Sequence, residues 1–180
     1  DGEAVALDHL LGDLDERAQR AEMDFQFRLD ALDIGRLRAL CERSGEAGLI
    51  PDGLGETELR GFLSGKIDLV LVHDAAVHVL DYKSNHLGNT LADYGNEALQ
   101  RAMGDHAYRW QALLYAVAVR RYLARRQRAD AQPLRLGDVI YLFVRAVGLA
   151  PGSGVWRHRF APDFLNAVDA LFATSAAEAG

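Results

Sequence analysis

Two strand-length apolar runs, Ile67 to Val72 and Val77 to Leu80, are separated only by His73-Asp74-Ala75-Ala76. So short a connection leaves little choice but an antiparallel hairpin. The first run carries Asp68 near its start, and the second ends in Asp81-Tyr82-Lys83. Side chains alternate faces along a strand, so Asp81 and Lys83 share a face with Asp68 across the hairpin, and the Tyr82 ring points to the opposite, buried face. Two carboxylates and an ammonium at one end of a sheet suit a hydrolase that uses a divalent metal. Mg²⁺ needs only one or two carboxylates when waters and substrate phosphate oxygens complete its shell. Asp68 and Asp81 are the metal-ligand candidates, with the backbone carbonyl of Tyr82, and Lys83 is placed to orient the attacking water and offset negative charge. An isolated Asp-x-Lys is more often a solvated ion pair of little worth. Here it ends an apolar strand and meets a second aspartate.

The rest of the chain supplies layers for that hairpin. Ala4 to Arg20 reads as a helix, and Glu22 to Leu29 alternates Met23, Phe25, Phe27 and Leu29 with polar residues, the pattern of a half-buried strand. Leu32, Ile34, Leu37, Leu40 and Cys41 recur at helical spacing up to Ser44-Gly45, and Gly45 to Gly55 is a loop. Strands extend over Glu58 to Lys83, where Gly61 and Gly65 mark a bulge or a close backbone approach. A polar loop, Ser84 to Asn89, leads into a mostly helical tract from Leu91 to Gln127. On that tract Trp110, Leu113, Leu114, Val117 and Leu123 form an apolar face, while Tyr108, Gln111, Tyr115 and Tyr122 follow another row. Val139 to Val144 has the length of a strand, His158 lies near a late strand, Pro162 to Phe172 is an amphipathic helix, and the tail 175–180 is expected to be flexible. The predicted class is α/β, with helices layered on a mixed sheet.

At 180 residues and 49% hydrophobic content the chain can bury one core, and one domain is expected. Because it begins with Asp1, it is expected to be an N-terminally truncated piece of a longer protein. Cys41 is the only cysteine, which excludes a disulfide framework and a cysteine-ligated cluster and fits a reducing cytoplasm. No run approaches the length of a membrane span, and no leader is visible. The net charge of −6 disfavours a broad nucleic-acid face. Arg120, Arg121, Arg125, Arg126 and Arg128 nevertheless crowd together, either as a solvated helix end or as a phosphate-tracking patch. His73, His78, His86 and His158 read as solvated or structural, with His86 the one nearest the acid-lysine pair. Gly61 to Ile67 lacks the glycine spacing and the Ser or Thr of a P-loop, so no ATP site is expected.

Gly61 to Gly88, GFLSGKIDLVLVHDAAVHVLDYKSNHLG, resembles the core of the RecB-type nuclease domains of bacterial exodeoxyribonuclease V (RecBCD), within the PD-(D/E)xK superfamily. The similarity continues through His106, Tyr108, Gln111, Tyr115 and Arg121-Tyr122-Leu123, and again at Tyr141-Leu142-Phe143-Val144-Arg145. Upstream, Glu22-Met23-Asp24-Phe25 is similar to the strand preceding the family core.

The resemblance implies a restriction-endonuclease-like PD-(D/E)xK core with a mixed central sheet flanked by helices. It implies a Mg²⁺-dependent deoxyribonuclease, with Mn²⁺ as the alternative ion, acting on single strands fed by a helicase during double-strand break repair. Asp68 and Asp81 would then be the metal-binding acids and Lys83 the catalytic lysine. Gln111 and Tyr115 match the family's Q-x-x-x-Y motif, and Arg125 and Arg126 are candidate DNA contacts. RecC- and RecD-like subunits and RecA are the implied partners. The family also uses a metal-ligating histidine on a helix well before Glu22. This chain starts too late to hold it in the usual place, and His9 lies too close to the strand to serve. An incomplete site with weakened metal affinity is therefore expected, and the alternative function is a RecA-docking module.

Overall fold

The hairpin turn has two residues at its tip, Asp74 and Ala75, at φ 48° and 59°. Two successive left-handed residues make the type I′ geometry that matches strand twist. The computed structural model describes residues 19–55, 58–126 and 133–174. Among these residues the order is β1 (Gln19–Asp33), α1 (Ile34–Arg43), β2 (Glu58–His73), β3 (Ala76–Lys83), α2 (Asn96–Asp105), α3 (Tyr108–Arg126), β4 (Arg135–Phe143), β5 (Val155–His158) and α4 (Pro162–Thr174). The helix expected over Ala4 to Arg20 lies outside the described residues except at Gln19 and Arg20, which are strand, paired with Leu71 and Val70; Gln127, Arg128 and the tail also lie outside them.

The five strands form one sheet in the order β1-β2-β3-β4-β5. Neighbours are antiparallel except β3 and β4, which run parallel and are joined by the crossover through α2 and α3. This is the mixed sheet flanked by helices that the PD-(D/E)xK resemblance implies. Strand β1 extends beyond the expected Glu22 to Leu29, because the chain resumes pairing with β2 at Leu32 after an irregularity between Leu29 and Leu32. Leu32 is thus a strand residue, and α1 begins where the Asp33 carboxylate accepts the Arg36 amide at 2.8 Å. The tract from Leu91 to Gln127 is broken rather than continuous: a short 3₁₀ turn at Leu91–Tyr94 precedes α2, and Ala107 at φ 57° separates α2 from α3.

One face of the sheet carries the main core. It joins Met23, Phe27, Ile67, Val70, Val79, Tyr141 and Phe143 to residues of all four described helices. Helix α3 is buried from Ala112 to Val119, so no single apolar stripe describes it. A smaller cluster, Leu69, Leu71, Leu80, Ile140 and Leu142, occupies the other face. Each fully buried aliphatic side chain contributes about 1.5–3 kcal/mol.

Strand β2 changes phase in the middle. Ile67 and Val70 both belong to the main core, whereas Leu69 and Leu71 belong to the other cluster. The change falls at Asp68, which stands opposite Glu22 between the pairs Ala21↔Leu69 and Met23↔Ile67, and Glu22 has φ 53°. The β2–β3 ladder also ends here, at Leu69↔Leu80, while β2 stays paired with β1 down to Glu58. The two strands part in a fork with Asp68 at its branch point. Among the described residues no helix is long and apolar enough to cross a membrane.

Candidate active site

The fork explains how Asp68 is held. Its backbone has left the ladder, and its carboxylate takes over by accepting the Tyr82 amide at Oδ2, 2.9 Å away. Asp81 lies on the neighbouring strand and is 3% exposed. Its Oδ1 is 3.1 Å from the Tyr115 hydroxyl, which is also 2.9 Å from the Lys66 carbonyl. One phenolic proton thus serves two acceptors. Asp81 Oδ2 lies 2.6 Å from Lys83 Nζ, a contact between charges that gives this buried oxygen no well-aligned hydrogen bond.

Helix α3 supplies the counterpart face. The Lys83 ammonium donates to Gln111 Oε1 at 3.0 Å, and the same oxygen accepts the Tyr141 hydroxyl at 3.0 Å. The ammonium also lies 4.0 Å from the centre of the Tyr108 ring and 5.1 Å from that of Tyr141, a cation over two aromatic faces. Tyr108 in turn donates to Asn85 Oδ1 at 3.1 Å, and Asn85 Nδ2 is 3.4 Å from His106 Nε2. Burial holds the Asp81 carboxyl above its ordinary range and the Asp68 charge adds to this, against the opposing pull of Lys83. Burial, followed by the nearby Asp81 charge, raises Tyr115 and Tyr141 as well. Both phenols therefore stay protonated at neutral pH and act as donors.

Asp68, Asp81, Lys83, Gln111 and Tyr115 are brought together. Tyr115 is both a core aromatic, 4% exposed, and a ligand of Asp81 through its hydroxyl. Arg125 and Arg126 are not brought to the carboxylates; they lie about three turns beyond Tyr115 on α3. Arg126 stacks on the Tyr122 ring with 4.9 Å to its centre. Tyr82 does face away from Asp81, but its ring is 46% exposed rather than buried, because the core of the opposite face ends at Leu80 and Leu142. The contributions of Tyr108 and Tyr141 were not foreseen. Tyr108 lies on the same helical row as Gln111, and Tyr141 opens the later stretch of family similarity, which were the available signals.

The donor set fits a hard divalent cation. Two carboxylates converge, a buried Asp81 oxygen lacks an aligned partner, and the second Asp68 oxygen accepts nothing from the described residues. No group of three or more His, Cys, Asp or Glu side chains with metal-binding geometry occurs among the described residues, and His9 lies outside them. His86 is bound within its own loop, 3.1 Å from Asn89 Oδ1.

The family model of the PD-(D/E)XK nuclease superfamily matches residues 3–178. The chain belongs to this superfamily. Within it the domain is RecB-like. RecBCD enzyme subunit RecB of Mycobacterium tuberculosis is 48% identical over 112 residues, covering 62% of this chain and 10% of that protein. The subunit of the same name from Haemophilus influenzae is 39% identical over 115 residues, covering 64% and 10%. That from Escherichia coli K12 is 35% identical over 167 residues, covering 91% of this chain and 14% of that protein. The chain therefore spans about a tenth to a seventh of the length of these curated relatives.

Proposed function

We propose that this domain hydrolyses DNA phosphodiester bonds with Mg²⁺, or Mn²⁺ in its place, held by Asp68, Asp81 and the Tyr82 carbonyl. When bound, the cation would lower the pKa of a water molecule and offset charge on the phosphate oxygens. The chain's own residues do the rest. Tyr115 fixes the Asp81 carboxylate through Oδ1, so that Oδ2, 2.6 Å from Lys83 Nζ, is the oxygen the ion would share with the lysine. Gln111 and Tyr141 hold the Lys83 ammonium beside Asp81, where its positive charge can orient the nucleophile and stabilise the charge that develops in the transition state. Because Asp68 is tied to the main chain of β3, the two acids keep their spacing as long as the strand does. Arg125 and Arg126 contact phosphates further along the bound strand. In this reading the domain belongs to a larger RecB-like subunit that works with RecC- and RecD-like partners and RecA in double-strand break repair, cutting strands delivered by a helicase.

The observation that carries the reading is a buried Asp81 oxygen without an aligned hydrogen bond, beside both a second aspartate and a lysine. The test is cleavage of linear single-stranded DNA with Mg²⁺ or Mn²⁺. Asp81→Asn should lower the single-turnover rate by at least about 10³-fold while keeping the shape of the side chain. A variant that cuts like the wild type would sink the assignment. A wild-type domain that binds DNA but never cuts it would leave the docking alternative standing.

A further inference from the structure

Tyr82 lies between the two reactive residues of its strand, and its ring has no place in the mechanism above. It faces away from Asp81 and Lys83, on the side of Leu80 and Leu142, with Leu142 its partner in the parallel ladder. There the apolar cluster stops, and Tyr82 is 46% exposed. The chain past β4 continues the surface. The Val144 amide still bonds the Lys83 carbonyl at 3.0 Å, and Val144, two residues beyond Leu142, is 52% exposed. Next comes Arg145, whose Nε donates to the Ser84 carbonyl at 2.8 Å. In a chain of net charge −6, Arg145 makes no ion pair with any carboxylate of the described residues. A flat ring, an apolar shoulder and a guanidinium held against the loop after Lys83 thus meet at one end of the β3–β4 pair.

This surface is joined to the reactive centre by the fork. The Asp68 carboxylate is fastened to the Tyr82 amide itself, so the ring and the acid are carried by one peptide unit. With β2 gone from that edge, a strand whose phosphate lies at Asp68 and Asp81 can pass its next nucleotide across the end of β3. We propose that Tyr82 and Arg145 form a subsite for the nucleotide adjacent to the scissile phosphate in single-stranded DNA, the base stacking on the Tyr82 ring and the next phosphate meeting Arg145. A base inside a duplex is stacked on both faces and has none to offer a ring, so the subsite selects unpaired DNA. Arg145 supplies a positive charge that favours a phosphate backbone over an apolar protein surface. The proposal rests on the nuclease reading for the position of the phosphate.

The test is binding of a fluorescent oligothymidine in EDTA, where no cleavage occurs, followed by anisotropy. Tyr82→Ala should weaken binding about tenfold, and Tyr82→Trp should bind at least as tightly as the wild type. Tyr82→Leu keeps apolar bulk without a flat ring and should bind like the alanine variant, so the comparison of Trp with Leu stands even if the alanine variant is poorly folded. Arg145→Gln should reduce the slope of log affinity against log salt by about 0.7, one phosphate's worth for a single strand, while the tyrosine variants keep the wild-type slope. Equal binding by the Trp and Leu variants, or a loss of the same size on duplex DNA, would overturn the subsite. Cleavage with Mg²⁺ separates the two readings. Dependence on Tyr82 without cutting removes only the nuclease, and cutting with no dependence on Tyr82 removes only the subsite.

Discussion

Gln111 joins two strands through one oxygen. Its Oε1 accepts from Lys83 on β3 and from Tyr141 on β4, so the lysine is aimed by a helix that is itself fixed to the neighbouring strand. Gln111→Leu removes the acceptor without adding charge and leaves two donors without their partner. We expect cleavage to fall about 10- to 100-fold, the usual cost of losing a group that orients a reacting one, and stability to fall by about 1–3 kcal/mol, because the buried Tyr141 hydroxyl loses its acceptor. Single-turnover rates and melting curves check this, and a wild-type rate would mean that the Asp81 contact alone positions Lys83. At this scale the sequence was informative about what alternates. Period two places Asp81 with Lys83, and the family motif singles out Gln111 and Tyr115. Exposure was less legible. The side of β3 that Tyr82 faces is set by alternation, but whether anything covers it depends on where the buried cluster of that face ends, at Leu142 of the neighbouring strand.

The hairpin shows what an element inherits from its shortest segment. Ala75 holds φ 59° with a β-carbon, a conformation that costs an ordinary residue about 1 kcal/mol or more and glycine almost nothing. Ala75→Gly should therefore stabilise the domain, by about 0.5–1 kcal/mol, since the Arg135 amide bonds the Ala75 carbonyl and needs no side chain. Urea unfolding of both proteins would show the gain as a higher midpoint at equal slope, and a loss would refute the strain argument. Strands with one buried face announced themselves by alternation, as β1 did through Met23, Phe27 and Leu29. Helix α3 obscured its own orientation because Ala112 to Val119 is buried all round. The break at Ala107 had Gly104 three residues before it as its mark, in a tract whose apolar pattern runs on past it. The fork at Asp68 was invisible for a related reason. A phase change in an apolar strand leaves the composition untouched and only moves residues from one face to the other.

On the scale of the molecule, the far end of the sheet has its own charged assembly. Asp138 on β4 is 3% exposed and bound by Arg157 and Arg159. The Asp138 amide donates to Nδ1 of His78, which is 2% exposed. Burial alone would raise the Asp138 carboxyl, but the adjacent His78 ring and the hydrogen bonds from Arg159 and Arg157 outweigh it and hold the group well below the ordinary carboxylate range. A lowered folded pKa contributes stability that is complete above the unfolded value of about 3.9 and is lost as pH falls through the folded one. Asp81 has the opposite sign: its raised pKa costs stability as pH climbs past about 4 and contributes nothing to acid unfolding. Asp138→Asn should therefore lower the melting temperature at pH 7 and flatten its decline between about pH 4 and pH 2, as followed by circular dichroism. An acid limb as steep as that of the wild type would show that the decline originates elsewhere.

The two charged assemblies share β3, which carries His78 near one end and Asp81 with Lys83 at the other. This strand is the third of five, laddered on both sides as far as Leu80 and by β4 alone from Asp81 to Lys83. To expose it, the domain must break an antiparallel and a parallel pairing together and open the main core above it. Such strands belong to the last cooperative unit of a protein to open, with a free-energy cost near that of global unfolding. Asp81 and Lys83 lie just past that double pairing, where β4 alone continues and Gln111 holds the lysine, so they are mounted at the tip of the most firmly held strand. Loosening of the outer strand β5 leaves them in place, whereas loosening of β2 takes Asp68 from their side and the Lys66 carbonyl from Tyr115.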